Sequence, residues 1–163
     1  MHYSENIYMP TVDKEIIKHL NNVLRNKLAT INQYFLHARM MKYMGFMKLA
    51  DYEYKESIQQ MKYADKLVER VLFIGGMPNL QELGKLNIGG TVEEILKFDL
   101  ETEESATKDI KLAIETCKSK EDYTSVDILN SILENKEEHV LFIRSQLNLV
   151  DTIGLSKYLQ TQV

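Results

Sequence analysis

The apolar positions at the start of the chain recur with the spacing of a buried helix face. Between Asp13 and about Tyr43 they fall three and four residues apart, which is typical of an amphipathic helix. Asp13 is a suitable N-cap, because its carboxylate can accept hydrogen bonds from the first free backbone amides. One charged residue, Lys27, falls on the interior stripe of this helix, which reads Leu20, Leu24, Lys27, Ile31, Tyr34, Ala38 and Met41.

The same spacing predicts three more long helices. The second covers about residues 48–74, and the fourth covers about residues 122–150. The third begins after Thr91, which forms a capping box with Glu94. Gly154 interrupts the pattern, and residues 155–162 predict a short fifth helix. Polar residues again fall on the interior stripes: Glu53, Glu56, Gln60 and Tyr63 in the second helix, Asp99 and Glu103 in the third, and Lys136 and His139 in the fourth.

The connections between these helices predict their arrangement. A short link after Gly45 makes the first two helices antiparallel neighbours, whereas the long segment 75–90 can return the chain so that the second and third run parallel. This order predicts an all-α, ferritin-like four-helix bundle with a long crossover and a short fifth helix. We expect one domain, residues 13–163, preceded by an N-terminal extension, residues 1–12.

Charge and composition narrow the function classes. The net charge of −4 gives no reason to expect nucleic acid or a membrane as a partner. Cys117 is the one cysteine in the chain, which suits a reducing compartment. No stretch approaches eighteen consecutive apolar residues. We therefore expect a soluble, cytoplasmic protein.

Two segments approach the motif of a di-iron helical bundle. Such a bundle carries Glu-x-x-His on two helices, because residues three apart share a face and can hold one metal pair. In the second helix the corresponding positions are Gln60 and Tyr63, and in the fourth they are Lys136 and His139. Of the two motifs, one histidine, His139, is therefore present, and both glutamates are replaced by other residues.

Longer segments resemble bacterioferritin. They are INQYFLHARM (residues 31–40), ERVLF (69–73), PNLQELGKLNIG (78–89) and GLSKYLQTQ (154–162). The resemblance extends from about Asp13 to the C-terminus. It implies an iron-storage shell of twenty-four subunits, haem b between pairs of subunits, and a di-iron ferroxidase centre inside each catalytic subunit.

The resemblance implies that the haem positions are retained. Met61 aligns with the methionine that each of two subunits contributes as an axial ligand, and it lies about 100° round the helix from the inward Gln60. Leu28, Asn32, Phe35 and Tyr54 align with residues that line the haem pocket. Without the resemblance, Met61 would be read as an ordinary apolar surface or core residue.

The ferroxidase positions are not retained. They align with Lys27, Gln60, Tyr63, Glu103, Lys136 and His139, of which Glu103 and His139 keep the ligand type of the family. A protonated lysine has no lone pair for a metal and repels the cation. We expect instead a buried ionic cluster in which Glu56 and Glu103 pair with Lys27 and Lys136, together with Tyr63 and His139. In this reading Glu103 is a salt-bridge partner, and His139 and Tyr34 are core residues.

The resulting prediction is a non-catalytic, haem-binding subunit that builds the shell. A second, ferroxidase-active subunit would share the shell, and electrons supplied by a reductase such as a ferredoxin would pass through haem to release iron. Two alternatives remain. The chain could be a self-sufficient ferroxidase that uses Glu103 and His139 with other groups, or a haem-free structural subunit.

Overall fold

The computed structural model describes residues 12–163, most of which form helices. The helices are α1 (Lys14–Tyr43), α2 (Met47–Phe73), α3 (Val92–Ser119), α4 (Tyr123–Ile153) and α5 (Leu155–Gln160). This confirms the all-α prediction and the order of the five helices, with ends that differ from expectation by up to three residues. The expected N-terminal extension lies outside the described residues, apart from Val12.

The predicted caps define where two helices begin. Asp13 Oδ1 accepts hydrogen bonds from the backbone amides of Glu15 and Ile16, at 3.0 and 3.2 Å. Thr91 Oγ1 accepts from the amide of Glu94 at 3.2 Å, and the Thr91 hydroxyl lies 3.3 Å from Glu94 Oε1. Each cap satisfies backbone donors that a helix cannot pair internally.

The hydrophobic core has two parts, separated by a polar layer. The first part includes Leu20, Leu67, Ile110 and Leu129, and the second includes Met41, Leu49, Leu96, Ile143 and Tyr158. Between them lie buried polar side chains from all four long helices: Lys27, Gln33, His37, Glu53, Gln60, Asp99, Glu103, Lys136 and His139. Because burying unpaired polar groups is costly, the contacts within this layer must compensate for lost hydration.

The crossover between α2 and α3 is attached to α1 by hydrogen bonds. Near its start, Asn21 accepts from the amide of Asn79 at 3.0 Å and donates to the carbonyl of Met77 at 3.1 Å. Near its end, Gly89 is buried so tightly that a Cβ atom there would lie 2.6 Å from the backbone nitrogen of Ile95. A side chain at this position would therefore require the backbone to move.

No helix within residues 12–163 combines the length and apolar character needed to cross a membrane.

Candidate functional site

The centre of the bundle contains an ion pair between α3 and α4. Lys136 Nζ lies 2.6 Å from Glu103 Oε2 and also donates to the backbone carbonyl of Glu103 at 2.8 Å. Both side chains are almost completely buried. The ammonium and the carboxylate thus neutralise each other where neither is hydrated, as the sequence led us to expect.

The second oxygen of Glu103 is also occupied. Its Oε1 accepts a hydrogen bond from the Tyr34 hydroxyl and a longer one, 3.4 Å, from His139 Nδ1. Burial alone would raise the pKa of Glu103, but His139, Lys136 and Lys27 together lower it far below its usual range. Glu103 is therefore ionised, and both of its oxygens already have partners within the protein.

Lys27 has a different partner from the one expected. Its Nζ donates to Gln60 Oε1 at 2.7 Å, and no carboxylate of the described residues lies within 4.0 Å of it. Gln60 in turn donates to Asn135 Oδ1 at 3.0 Å. Burial lowers the pKa of Lys27 to about 8, an effect that the charge of Glu103 opposes and that of Lys136 reinforces. The carboxylate partner expected for Lys27, from Glu56 or Glu103, is therefore not found among the described residues, and the amide oxygen of Gln60 takes that place.

Tyr63 lies at the edge of this group. Its side chain is buried, but its hydroxyl donates to the backbone carbonyl of Ser131 at 3.3 Å. The expected hydrogen bond between Tyr63 and the central cluster is therefore not found among the described contacts. Tyr34, which sequence reasoning treated as an ordinary core residue, is the tyrosine that binds Glu103 instead.

These residues do not fit a pair of iron ions. Ferrous and ferric ions in such bundles are held mainly by carboxylates, which also offset their charge. Here Glu103 is the one carboxylate among the six aligned positions, and it is bound to an ammonium group. Two buried atoms near it have no partner in the described part of the chain, His139 Nε2 and Glu56 Oε2. They are too few to hold two metals against two lysines.

A second face of α2, together with the adjoining face of α1, is exposed and largely apolar. Met61 is 58% exposed, and Phe35 and Tyr54 are 47% and 37% exposed. The Phe35 and Tyr54 rings lie 6.4 Å apart between centroids, and the guanidinium of Arg39 lies over both, at 5.5 and 5.0 Å.

The antiparallel packing of α1 and α2 fixes how these residues line up. The Lys27–Gln60 and Phe35–Tyr54 contacts set the register, so that Leu28 is level with Met61. Leu28, which is half-buried, and Asn32, which is exposed, share the helical stripe of Phe35. The five residues that the sequence resemblance assigns to a haem pocket thus belong to one continuous face.

A further buried group was not singled out from the sequence. His37, Glu53 and Asp99 each place one potential ligand atom within 4.8 Å of the others, and all three are buried. The available signal was that Glu53 and Asp99 are carboxylates on interior stripes. The position of His37 relative to them depends on helix packing that spacing alone does not give.

Comparisons with known proteins agree with this architecture. A family model described as a ferritin-like domain matches residues 17–153. A bacterioferritin from Streptomyces coelicolor is 38% identical over 151 residues, which cover 93% of this chain and 90% of that protein. A bacterioferritin from Brucella melitensis is 38% identical over 146 residues, which cover 90% of this chain and 91% of that protein. Bacterioferritin BfrA of Mycobacterium tuberculosis is 37% identical over 146 residues, which cover 90% of this chain and 92% of that protein.

Proposed function

Because this chain belongs to the bacterioferritin family, an iron-storage family that assembles as oligomeric shells, we propose that it is a haem-binding subunit without a ferroxidase centre of its own. The observation that carries the proposal is the contrast between the two faces of α2. On the inward face, Gln60 accepts a hydrogen bond from the ammonium of Lys27. On the outward face, Met61 is exposed beside an aromatic pair.

The residues on the inward face support the proposal that this subunit does not oxidise iron. The Lys136 and Lys27 ammonium groups lie at ligand positions of the family and supply positive charge where the metals would stand. Displacing them would leave charged groups buried without partners, at a cost of several kcal/mol. Rapid iron oxidation in the shell would then come from a second subunit type that retains the carboxylates, so we propose mixed shells.

The outward face supports haem binding. The Met61 thioether is a soft donor of the kind that ligates haem iron, and each of two subunits facing each other would contribute one. Leu28, Phe35 and Tyr54 would cover the ring and exclude water, and Asn32 would line the same pocket. Bound haem would supply one-electron redox chemistry for reducing stored iron, with electrons delivered by a reductase such as a ferredoxin.

Haem loading of the purified chain tests the role of Met61. We expect stoichiometric binding, one haem per two subunits, with the Soret spectrum of a six-coordinate thioether-ligated haem. Met61→Ala should lose that spectrum. Met77→Ala is the matched control, because Met77 is also exposed, at 77%, but lies in the crossover away from this face. An unchanged spectrum in Met61→Ala would mean that Met61 is not the haem ligand. The absence of haem binding by the wild type would contradict the haem proposal and favour a structural shell subunit.

Stopped-flow oxidation of ferrous iron tests the missing centre. The isolated chain should oxidise iron no faster than solution autoxidation. Oxidation at the rate of a catalytic subunit would favour the alternative in which Glu103 and His139 serve with other groups.

Native mass spectrometry of shells from cells tests the mixed assembly. We expect particles that contain this chain together with a carboxylate-rich relative. Strictly homomeric shells would count against that part of the proposal and leave the haem part standing.

A further inference from the structure

A second polar network lies beside the Glu103 cluster and shares no side chain with it. It is centred on Asp99, four residues before Glu103 on α3, and includes His37 of α1 and Glu53 of α2. Asp99 and His37 are fully buried, and Glu53 is 3% exposed. None of the three is among the residues aligned with the iron or haem sites.

The hydrogen bonds of His37 fix its charge. Its Nε2 lies 3.0 Å from the backbone nitrogen of Gly89, and a backbone N–H can only donate, so Nε2 must be an acceptor without a proton. The ring proton therefore resides on Nδ1, which donates to Asp99 Oδ1 at 2.8 Å. His37 is neutral in this arrangement and supplies no positive charge to the carboxylates.

The two carboxyl groups have no other cation to balance them. Asp99 Oδ1 also accepts from Gln33 Nε2 at 2.8 Å, but Asp99 Oδ2 and Glu53 Oε1 have no partner among residues 12–163. In the same part of the chain, no lysine or arginine lies within 4.0 Å of either group. Two adjacent ionised carboxylates, buried and without a cation, would be strongly unfavourable.

We propose that Glu53 and Asp99 form a proton-binding site, in which the protonated carboxyl of Glu53 donates a hydrogen bond to the anionic Asp99. The shared proton removes one of the two buried charges and gives Asp99 Oδ2 the partner it otherwise lacks. Burial, and after it the charge and hydrogen bond of Asp99, raise the pKa of Glu53 well above its ordinary value, in agreement with this assignment.

A metal ion is a poorer occupant of the same space. Both ring nitrogens of His37 are engaged, one with Asp99 and one with Gly89. A metal would have to break one of these bonds to obtain a nitrogen ligand. A proton requires no such rearrangement.

The site connects the crossover to the bundle. Asp99 holds His37 in the tautomer that accepts the Gly89 amide, and it accepts from Gln33, whose Oε1 receives the Asn87 amide at 3.1 Å. Both attachments of the crossover end therefore depend on Asp99 Oδ1 as an acceptor, and in the proposed arrangement Asp99 is the anion of the pair. The protonated Glu53 is what makes that buried anion tolerable.

The surrounding groups set the direction of the pH dependence. Besides His37, the titratable groups facing the pair are Tyr34 of α1, Tyr52 and Glu56 of α2, Glu103 of α3 and, beyond Tyr52, His139 of α4. Because the pKa of Glu53 is raised in the folded state, folding binds a proton above the ordinary glutamate pKa. Its contribution to stability is complete below that value and is lost as pH rises through the raised pKa.

Infrared spectroscopy of the intact protein tests the proposal directly. At neutral pH, the wild type minus Glu53→Gln difference spectrum should contain the carbonyl band of a protonated carboxylic acid. Glu53→Gln preserves a donor towards Asp99, so it should fold. The matched control Glu69→Gln, an exposed carboxylate on the same helix, should remove only a carboxylate band.

Proton release on unfolding gives a second measurement. At neutral pH the wild type should release about one more proton per chain than Glu53→Gln, and its stability relative to that variant should fall as pH rises. The absence of both the carbonyl band and the additional proton would overturn the proposal. Stoichiometric zinc or cobalt binding that Glu53→Gln abolishes would also overturn it, in favour of a metal site.

Discussion

The network around Glu103 contains two ammonium groups, whereas the network around Asp99, one helical turn away on the same helix, contains none. In the first, Lys136 lies 2.6 Å from the carboxylate and Lys27 lies close by. In the second, two carboxyls and a neutral imidazole lie together. Both networks occupy the same buried layer, so each must limit its net charge. The first does so with lysine side chains, and we infer that the second does so with a proton.

The two networks are expected to differ in what they can exchange with solution. The lysine side chains are part of the chain and cannot leave, so a metal could enter the Glu103 network only by displacing their buried ammonium groups from their present partners. A proton can leave without any side chain departing. We therefore expect the Glu103 network to be closed to cations and the Asp99 network to be sensitive to pH.

Restoring carboxylates to the Glu103 network should give the largest change. The variant Lys27→Glu, Gln60→Glu, Tyr63→His and Lys136→Glu, with Glu103 and His139 retained, completes the ligand set of a di-iron bundle. We expect it to bind two metal ions per chain, measured with cobalt or zinc, and to oxidise ferrous iron in a rapid phase that the wild type lacks.

The control for this experiment separates loss of positive charge from gain of ligands. Lys27→Gln with Lys136→Gln removes both ammonium groups and adds no carboxylate. If the fourfold variant folds but, like this control, binds no metal, the lysines are not what excludes iron from the bundle.

Breaking the central ion pair should give the next largest effect. Lys136→Met leaves the Glu103 carboxylate buried without its closest cation, so we expect the free energy of unfolding to fall by about 3–5 kcal/mol. Denaturant unfolding at a fixed subunit concentration measures this change.

A double variant distinguishes the pair from simple packing. Adding Glu103→Gln to Lys136→Met removes both charges, and part of the lost stability should return. Strictly additive losses would mean that the two side chains do not depend on each other, contrary to the 2.6 Å contact.

The fold could be predicted largely from residue spacing, because it depends on which positions are apolar. The Asp13 cap, the Gly154 interruption and the inward positions of Lys27 and Lys136 all follow from local sequence and helical periodicity. The Lys136–Glu103 pair was also predictable, since the two are interior residues of opposite charge and a buried charge requires a partner.

The choice among nearby partners could not be predicted in the same way. Lys27 binds the amide of Gln60 rather than a carboxylate, and Tyr34 rather than Tyr63 binds Glu103. These outcomes depend on rotamers and on helix register to within an ångström or so, which spacing does not specify. His37 meets Gly89 because of the path of the crossover, a segment with no periodicity to read.

The smallest expected effect that distinguishes the two networks is the pH dependence of the stability contributed by Lys27. Its sign is opposite to that expected for Glu53. Burial lowers the pKa of Lys27 from its ordinary 10.5 to about 8, so between these pH values the unfolded chain binds more protons than the folded one. Stability should therefore rise with pH across this window, by at most roughly 3 kcal/mol. Lys27→Met should abolish that rise, and urea unfolding of both proteins from pH 7 to 10.5 measures the difference.

Lys55→Met is the matched control, since Lys55 is an exposed lysine whose side chain is 72% accessible. If the wild type and Lys27→Met have parallel stability profiles, Lys27 is hydrated in solution, and the Glu103 network is open to water and cations after all.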